Sequence, residues 1–181
     1  ASSAASDVYK RQARTINNTL TAALATIKEN NDIQFIWQTG KYYYPQVTEA
    51  VRAAGELPNL YVTDFIKDMA AAYAASDLVI SRAGAGSISE FCLLHKPVVL
   101  VPSPNVAEDH QTKNALALVD KQAAIYVKDS EAEAKLMDVA LNTVADDRKL
   151  KELSENIAKL ALPDSARIIA QEVIKLAEAE N

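Results

Sequence analysis

Residues 82–90 carry the residue types and spacing that suit phosphate binding. They read Arg-Ala-Gly-Ala-Gly-Ser-Ile-Ser-Glu and hold two of the four glycines in the chain. An apolar run at residues 78–81 precedes them and predicts a strand, and an amphipathic run at 88–94 follows and predicts a helix. A strand, a glycine-rich turn and a helix start together present backbone N–H groups to an anion. The segment is therefore a candidate phosphate loop.

The polar residues of this loop allow two interpretations. Gly84 and Gly86 serve either the turn geometry alone or the close approach of a ligand to the backbone. Ser87 and Glu90 match the capping box S-x-x-E, in which Glu90 bonds back to the helix start. From the pattern alone, the cap is the favoured interpretation. The alternative is that the two oxygens of Glu90 accept hydrogen bonds from two adjacent ribose hydroxyls.

A second polar cluster, residues 108–114, opens another predicted helix. His110 and Gln111 fall in its first turn, where they either face solvent or bind sugar hydroxyls, which both donate and accept. No pairing of a nucleophile with a base is visible in the chain. No spacing of Cys, His and carboxylates suggests a metal site.

The elements that position these loops alternate between strand and helix. Strands are predicted at 33–39, 60–62, 78–80, 98–101 and 124–127, and helices at 13–30, 45–54, 67–75, 87–94, 108–121, 131–143, 146–162 and 166–179. Continuous apolar strands between helices indicate a parallel sheet covered by helices on both faces. The predicted class is a doubly wound, Rossmann-like α/β domain, whose ligands bind beyond the carboxyl ends of the strands.

Composition limits the class of protein. A chain of 181 residues fits one domain, and its net charge of −5, without a basic stripe, argues against nucleic acid as a partner. No apolar run reaches the length of a membrane span. Residues 1–12 are rich in Ser and Ala without a helical or strand period, and we interpret them as a non-native or disordered leader. The nucleotide-binding domain is expected to span residues 13–181.

Four ordered motifs make the chain resemble a known family. They are residues 64–74 (DFIKDMAAAYA), 81–90 (SRAGAGSISE), 96–102 (KPVVLVP) and 108–115 (EDHQTKNA). This order is similar to that of the MurG family, the bacterial N-acetylglucosaminyltransferases of glycosyltransferase family 28 that make lipid II for peptidoglycan. The resemblance runs from about Arg14 to Leu176 and covers the family's C-terminal, nucleotide-sugar-binding half.

The resemblance implies a fold and a reaction. The fold is the C-terminal half of a GT-B glycosyltransferase, which has two Rossmann-like domains with the active site between them. The donor is UDP-N-acetylglucosamine and the acceptor is lipid I, the undecaprenyl-diphospho-muramoyl-pentapeptide. The transfer inverts the anomeric centre and needs no cofactor or bound metal ion. The family is cytoplasmic and peripheral on the inner face of the cell membrane.

The resemblance also implies roles for individual residues. The backbone of Ile66 would bind the uracil edge, and Met69 would help to wall the uracil pocket. The segment from Ala85 to Ser87 would hold the diphosphate, and Glu90 would bind the ribose diol rather than act as a cap. Gln111, with His110 beside it, would contact the sugar hydroxyls. The full substrate-binding set is Ile66, Met69, Arg82, Ala85, Gly86, Ser87, Ile88, Ser89, Glu90, His110 and Gln111.

The chain also departs from the family pattern. A strand and a G-G-S-x-G loop are expected just before the helix that begins near Ala13, but residues 6–12 contain no glycine. We therefore expect a central strand to be lost or replaced, which would expose apolar faces of its neighbours and weaken the domain or favour association. The acceptor half, with its membrane contact and the family's presumed catalytic base, is not expected in this sequence, so no catalytic residue is assigned and the chain alone is predicted to be inactive. The alternatives are a donor-binding subunit of a two-chain glycosyltransferase and a fragment of a GT-B-type sugar-nucleotide epimerase.

Overall fold

The computed structural model describes residues 4–104 and 109–163, with side chains from Ala13 onward. Eight helices and five strands lie in these ranges. In chain order they are α1 (Ala4–Ala22), α2 (Leu24–Glu29), β1 (Phe35–Gln38), α3 (Tyr44–Ala54), β2 (Leu60–Thr63), α4 (Met69–Ala75), β3 (Val79–Ser81), α5 (Ala85–Leu93), β4 (Val98–Leu100), α6 (His110–Val119), β5 (Ile125–Tyr126), α7 (Ala132–Val144) and α8 (Asp147–Ala158). A 3₁₀ turn, Asp129–Glu131, precedes α7.

The strands are all parallel, as the sequence predicts, but the described residues form two sheets. One sheet pairs β1 with β2, and the other has the order β3-β4-β5. In doubly wound folds, ligands bind beyond the carboxyl ends of the strands.

The β3-β4-β5 sheet is buried on both faces. Val98, Val99 and Leu100 are 0% exposed, and their side chains alternate between two clusters. Val98 and Leu100 pack with Phe91 and other residues of α5, α6 and α8, whereas Val99 packs with Leu136 of α7. A strand with period-two side chains and apolar neighbours on either side is the centre of a three-layer arrangement.

The β1-β2 sheet is covered on only one face within the described residues. Trp37 is 4% exposed and packs with Val47 of α3 and with α2. Ile36 of β1 and Tyr61 of β2 lie opposite each other on the other face, and their side chains are 46% and 63% exposed. Within the described residues, helices therefore cover both faces of the larger sheet and one face of this sheet. The loss of a central strand stays a prediction.

Helix α1 joins the two sheets. Ile16 packs against the cluster around β4 and α7, and Leu20 packs against the cluster around Trp37. The buried Asn17 side chain donates to the carbonyl of Thr39 (3.0 Å) and accepts from Nε1 of Trp37 (2.8 Å). This helix begins at Ala4 rather than near Ala13, so residues 4–12 have helical backbone where a disordered leader was one expectation. Their non-native origin stays a prediction.

The other helix predictions are confirmed within a few residues, except where the described ranges end. Pro45 lies in the first turn of α3, and Gly55 ends that helix with a φ of 88°, as expected for a glycine cap. The predicted helix at 166–179 lies outside the described residues, as does Glu108 of the second polar cluster. No helix among the described residues has both the length and the apolarity required to cross a membrane.

Candidate functional site

The candidate site lies at the carboxyl ends of the strands, in the segments that follow them. Gln38 is the last residue of β1, and the glycine-rich segment follows β3 directly. The loops after β2 and β4 end in α4 and α6, which carry the other predicted residues. Carboxyl ends of parallel strands meet at one edge of a fold, so the sequence-predicted residues share this edge.

The first turn of α5 presents backbone donors. Gly84 is the N-cap, and the first intrahelical bond runs from the Ile88 N–H to the Gly84 carbonyl (3.0 Å). The N–H groups of Ala85, Gly86 and Ser87 precede that bond, so the helix itself supplies them with no acceptor. Ala85 and Gly86 are exposed. This is the geometry with which a helix N-terminus binds an anion.

The capping-box interpretation of Ser87 and Glu90 is wrong. Helix α5 begins at Ala85, so Ser87 occupies its third position instead of the N-cap, and no side chain caps the helix. The motif S-x-x-E begins about one turn after the N-cap position of the helix, because Ala85 and Gly86 before Ser87 are already helical. Glu90 therefore does not form the capping-box hydrogen bond that the sequence pattern alone favoured.

Gly84 and Gly86 are not required by the turn. Neither has a positive φ, and a Cβ on Gly84 would meet only the Ser87 hydroxyl oxygen at 4.0 Å, while one on Gly86 would meet nothing within 4 Å. Glycine in the body of a helix costs about 0.5–1 kcal/mol relative to alanine. Of the two interpretations left open by the sequence, open space for a ligand therefore has the better support.

Glu90 is held by a neighbouring helix. The exposed carboxylate accepts a hydrogen bond from the Tyr73 hydroxyl at 3.2 Å, which links α5 to α4. Burial, followed by the negative charge and hydrogen bond of Glu90, raises the pKa of Tyr73 above its ordinary value of 10.0. The Tyr73 ring also packs edge-on against Phe91, with centroids 5.8 Å apart. Tyr73 therefore stays protonated at neutral pH and fixes one oxygen of Glu90.

The two residues predicted at the base follow β2, one in the loop before α4 and one at the start of α4. Ile66 and Met69 are both half-buried. The Ile66 N–H donates to Oε1 of Gln38 at 2.8 Å. Met69 is the first residue of α4, which Asp68 caps by accepting from the Ala71 N–H (2.9 Å). Because Met69 lies four residues before Tyr73, both side chains share the face of α4 that meets α5.

Helix α6 ties its first turn to two loops. The buried Gln111 accepts the Ser103 N–H through Oε1 at 2.9 Å, and Asn114 donates to the Ala83 carbonyl at 3.2 Å. The second bond fastens α6 to the glycine-rich segment. His110 is exposed at the start of the helix, beside Asp109, whose φ is 55°. The structure thus brings His110 and Gln111 to the edge where residues 82–87 lie.

Arg82 takes part in a structural network. Its Nη1 donates to the Val101 carbonyl (2.8 Å) and to Oδ1 of Asp129 (2.5 Å), and both charged side chains are largely buried. Thr15 of α1 donates to the other Asp129 oxygen at 3.0 Å. The guanidinium therefore fastens the ends of β3 and β4 to the 3₁₀ turn. A direct contact of Arg82 with substrate stays a prediction.

Two further predicted residues have side chains that serve the helix. Ile88 packs against the core cluster around Phe91, and the Ser89 hydroxyl donates to the Ala85 carbonyl at 3.0 Å. Any contact of these two residues with a ligand would depend on the exposed helix face around them. Within residues 4–104 and 109–163, no three potential ligands cluster in a way that would hold a metal ion.

Sequence reasoning missed Gln38, Tyr73, Asn114 and Asp129 as supports of the site. Gln38 had a usable signal, because a polar residue at the carboxyl end of a predicted parallel strand lies where ligands of this fold bind. Tyr73 had a weaker one, its i,i+4 spacing from Met69. Asp129 had none, since its partner Arg82 is 47 residues away in sequence.

Comparison with known proteins agrees with this architecture. The model of the glycosyltransferase family 28 C-terminal domain matches residues 11–169. The UDP-N-acetylglucosamine--N-acetylmuramyl-(pentapeptide) pyrophosphoryl-undecaprenol N-acetylglucosamine transferase of Bacteroides fragilis is 80% identical over 166 residues, which cover 92% of this chain and 44% of that protein. The transferase of the same name from Phocaeicola vulgatus is 66% identical with the same coverage. This chain thus spans less than half the length of these relatives.

Two solved structures share the fold. The crystal structure of Acinetobacter baumannii MurG superposes with a TM-score of 0.76 at 26% identity, covering 91% of this chain and 49% of that one. The glycotransferase of kitacinnamycin superposes with a TM-score of 0.58 at 22% identity, covering 80% of this chain and 34% of that one. The Rossmann-like class predicted from the sequence is confirmed.

Proposed function

The chain belongs to glycosyltransferase family 28, and from this premise we propose that it is the donor-binding half of a bacterial N-acetylglucosaminyltransferase. Its ligand is UDP-N-acetylglucosamine. The whole protein transfers the sugar, with inversion, to lipid I and so forms lipid II. The names of the relatives from Bacteroides fragilis and Phocaeicola vulgatus support this donor and acceptor.

The observation that carries the proposal is the combination of donors and acceptor on α5. Backbone N–H groups of Ala85, Gly86 and Ser87 bind the diphosphate at the positive end of the helix. Glu90 lies three residues further, about 4.5 Å along the axis. A nucleoside diphosphate carries its vicinal diol one sugar ring away from its first phosphate. The carboxylate, already oriented by Tyr73, accepts from that diol.

The remaining contacts extend from both ends of α5. The backbone of Ile66 binds the uracil edge, and Met69, on the face of α4 that meets α5, walls the base. Gln111, whose Oε1 is bonded to Ser103, donates to an N-acetylglucosamine hydroxyl through its Nε2 group. His110 contacts the sugar beside it.

Transfer requires more than this chain supplies. The relatives are more than twice as long as the matched segment, and no residue here is assigned a catalytic role. We place the acceptor site, the contact with lipid I and the membrane contact in the other half of the protein. The whole enzyme then works on the cytoplasmic face of the cell membrane as a peripheral protein, and this chain alone binds donor without turnover.

Calorimetric titration with UDP-N-acetylglucosamine tests the proposal. We expect saturable binding, weaker binding of UDP-N-acetylgalactosamine, and a loss of about tenfold or more in affinity for Glu90→Ala, because hydrogen bonds to a charged group are lost. Glu133→Ala, an exposed glutamate on α7, is the matched control and should bind as the wild type does. Absence of binding by a folded wild-type chain, or equal binding by Glu90→Ala, contradicts the proposal.

A further inference from the structure

Gln38 occupies a backbone donor that the proposed nucleobase needs. It is the last residue of β1, and its side chain is exposed. The side chain crosses to the loop after β2, where Oε1 accepts the Ile66 N–H at 2.8 Å. The two residues are 28 positions apart, and the parallel register that pairs Gln38 with Thr63 brings them together.

The chemistry of this contact resembles that of a pyrimidine edge. A primary amide presents a carbonyl oxygen beside an N–H group, and uracil presents the same pair at its imide. Oε1 of Gln38 therefore offers the Ile66 N–H the kind of acceptor that a uracil carbonyl would offer. A donor with one hydrogen cannot make two short, well-aligned bonds at once, so the base and Gln38 compete for it.

We propose that Gln38 is a placeholder for the nucleobase: it holds the Ile66 N–H in the ligand-free protein and leaves when uracil binds. This inference rests on the proposed function, specifically on the binding of the base by the Ile66 backbone. The exposed position of Gln38 at the end of a strand lets the side chain turn into solvent without moving the core. The amide of Ile66 is thus never left without an acceptor, either before or after binding.

The loop keeps its shape without Gln38, because other bonds hold it. The Thr63 carbonyl accepts from the Thr39 N–H (3.0 Å), and the Thr63 hydroxyl bonds both to the carbonyl (3.1 Å) and to the N–H (3.4 Å) of Phe65. Asp68 caps the helix that follows. Removing the Gln38 amide therefore removes the competitor and leaves the loop in place.

While Gln38 accepts the Ile66 N–H, that molecule cannot bind uracil there. The apparent affinity for UDP-N-acetylglucosamine is therefore reduced in proportion to the fraction of molecules in which this N–H is free to bind the base. The net contribution of one neutral, exposed hydrogen bond corresponds to about two- to tenfold in an equilibrium constant. Gln38→Met, which keeps the side-chain length without the acceptor, should bind UDP-N-acetylglucosamine about two- to tenfold more tightly than the wild type. Gln38→Ala should do the same.

The test combines titration with the NMR signal of the Ile66 amide in the full 181-residue chain. In the wild type, the chemical shift of the Ile66 amide proton should stay at a value typical of a hydrogen-bonded amide, with or without UDP-N-acetylglucosamine. In Gln38→Met without ligand, this chemical shift should lie upfield of the wild-type value. It should return to the wild-type value when UDP-N-acetylglucosamine binds. Gln34→Ala, an exposed glutamine just before β1, is the matched control and should change neither readout.

The outcomes separate the two ideas. Tighter binding by both variants, with the Ile66 shift lost and then restored, supports the placeholder. Unchanged or weaker binding by Gln38→Met, in a chain whose wild type binds donor, overturns it and leaves the proposed function standing. Absence of donor binding by the wild type overturns both.

Discussion

The two sheets of this protein are stabilised in different ways. The β3-β4-β5 sheet is built around a strand whose three residues are all 0% exposed, with apolar helices on both faces. The β1-β2 sheet is buried on one face only within the described residues, and buried amides tie it to the neighbouring elements. Asn17 joins α1 to Trp37 and Thr39, and Asn59 donates to the carbonyls of Ile27, Asn30 and Ile33.

This difference matches the parts of the ligand that each sheet would bind. The glycine-rich segment extends from the sheet buried on both faces, and packing fixes where its amides point. The Ile66 loop extends from the sheet buried on one face, and hydrogen bonds fix its position. Packing thus orients the proposed phosphate site, whereas replaceable polar contacts orient the proposed base site.

The largest effect should come from opening the core of the larger sheet. Leu136→Ala removes a fully buried side chain between α7 and β4, and we expect the free energy of unfolding to fall by about 2–5 kcal/mol. Leu116→Ala, at a leucine that is 42% exposed, should cost far less. Chemical denaturation of both variants measures the difference. Equal losses would mean that the larger sheet does not depend on its packed core.

A smaller effect is expected from removing a buried amide of the other sheet. Asn17→Ala leaves the Thr39 carbonyl and the Trp37 indole N–H without their partner, so the free energy of unfolding should fall by about 1–3 kcal/mol. The fluorescence of Trp37, the single tryptophan, should change in the folded state. Asn18→Ala alters the exposed neighbour on the same helix and serves as the control. Matching stabilities for these two variants would refute the polar basis of this sheet.

The smallest effect concerns the contact between α4 and α5. Tyr73→Phe removes the hydrogen bond to Glu90, and donor affinity should fall by less than about tenfold. Because the pKa of Tyr73 is raised in the folded state, its stabilising contribution is complete below pH 10.0 and is lost as the pH rises through the folded-state pKa. The wild type should therefore lose stability more steeply than Tyr73→Phe above pH 10.0. Chemical denaturation of both proteins at rising pH measures this difference. If the free energies of unfolding of the wild type and Tyr73→Phe fell with the same slope, Tyr73 would not have a raised pKa in the folded state.

Much of this architecture could be predicted from local pattern. The apolar runs at 78–81 and 98–101 lie close to β3 and β4, and the glycine-rich segment does start a helix. The pattern failed at Ser87, because a capping motif fits more than one register and Gly84 supplies the actual cap. It also could not show Gln38 on Ile66 or Asp129 on Arg82. Such pairs depend on which elements become neighbours in space, and local periodicity does not record that.

The network around Asp129 also sets an order of events during synthesis. The Arg82 contact spans 47 residues and the Thr15 contact spans 114. Ribosomes add about 5–20 residues per second, so several seconds pass between the emergence of Arg82 and that of its partner. During that interval the glycine-rich segment lacks the ion pair between Arg82 and Asp129. The nascent chain can therefore complete this network only after the turn before α7 has emerged from the ribosome.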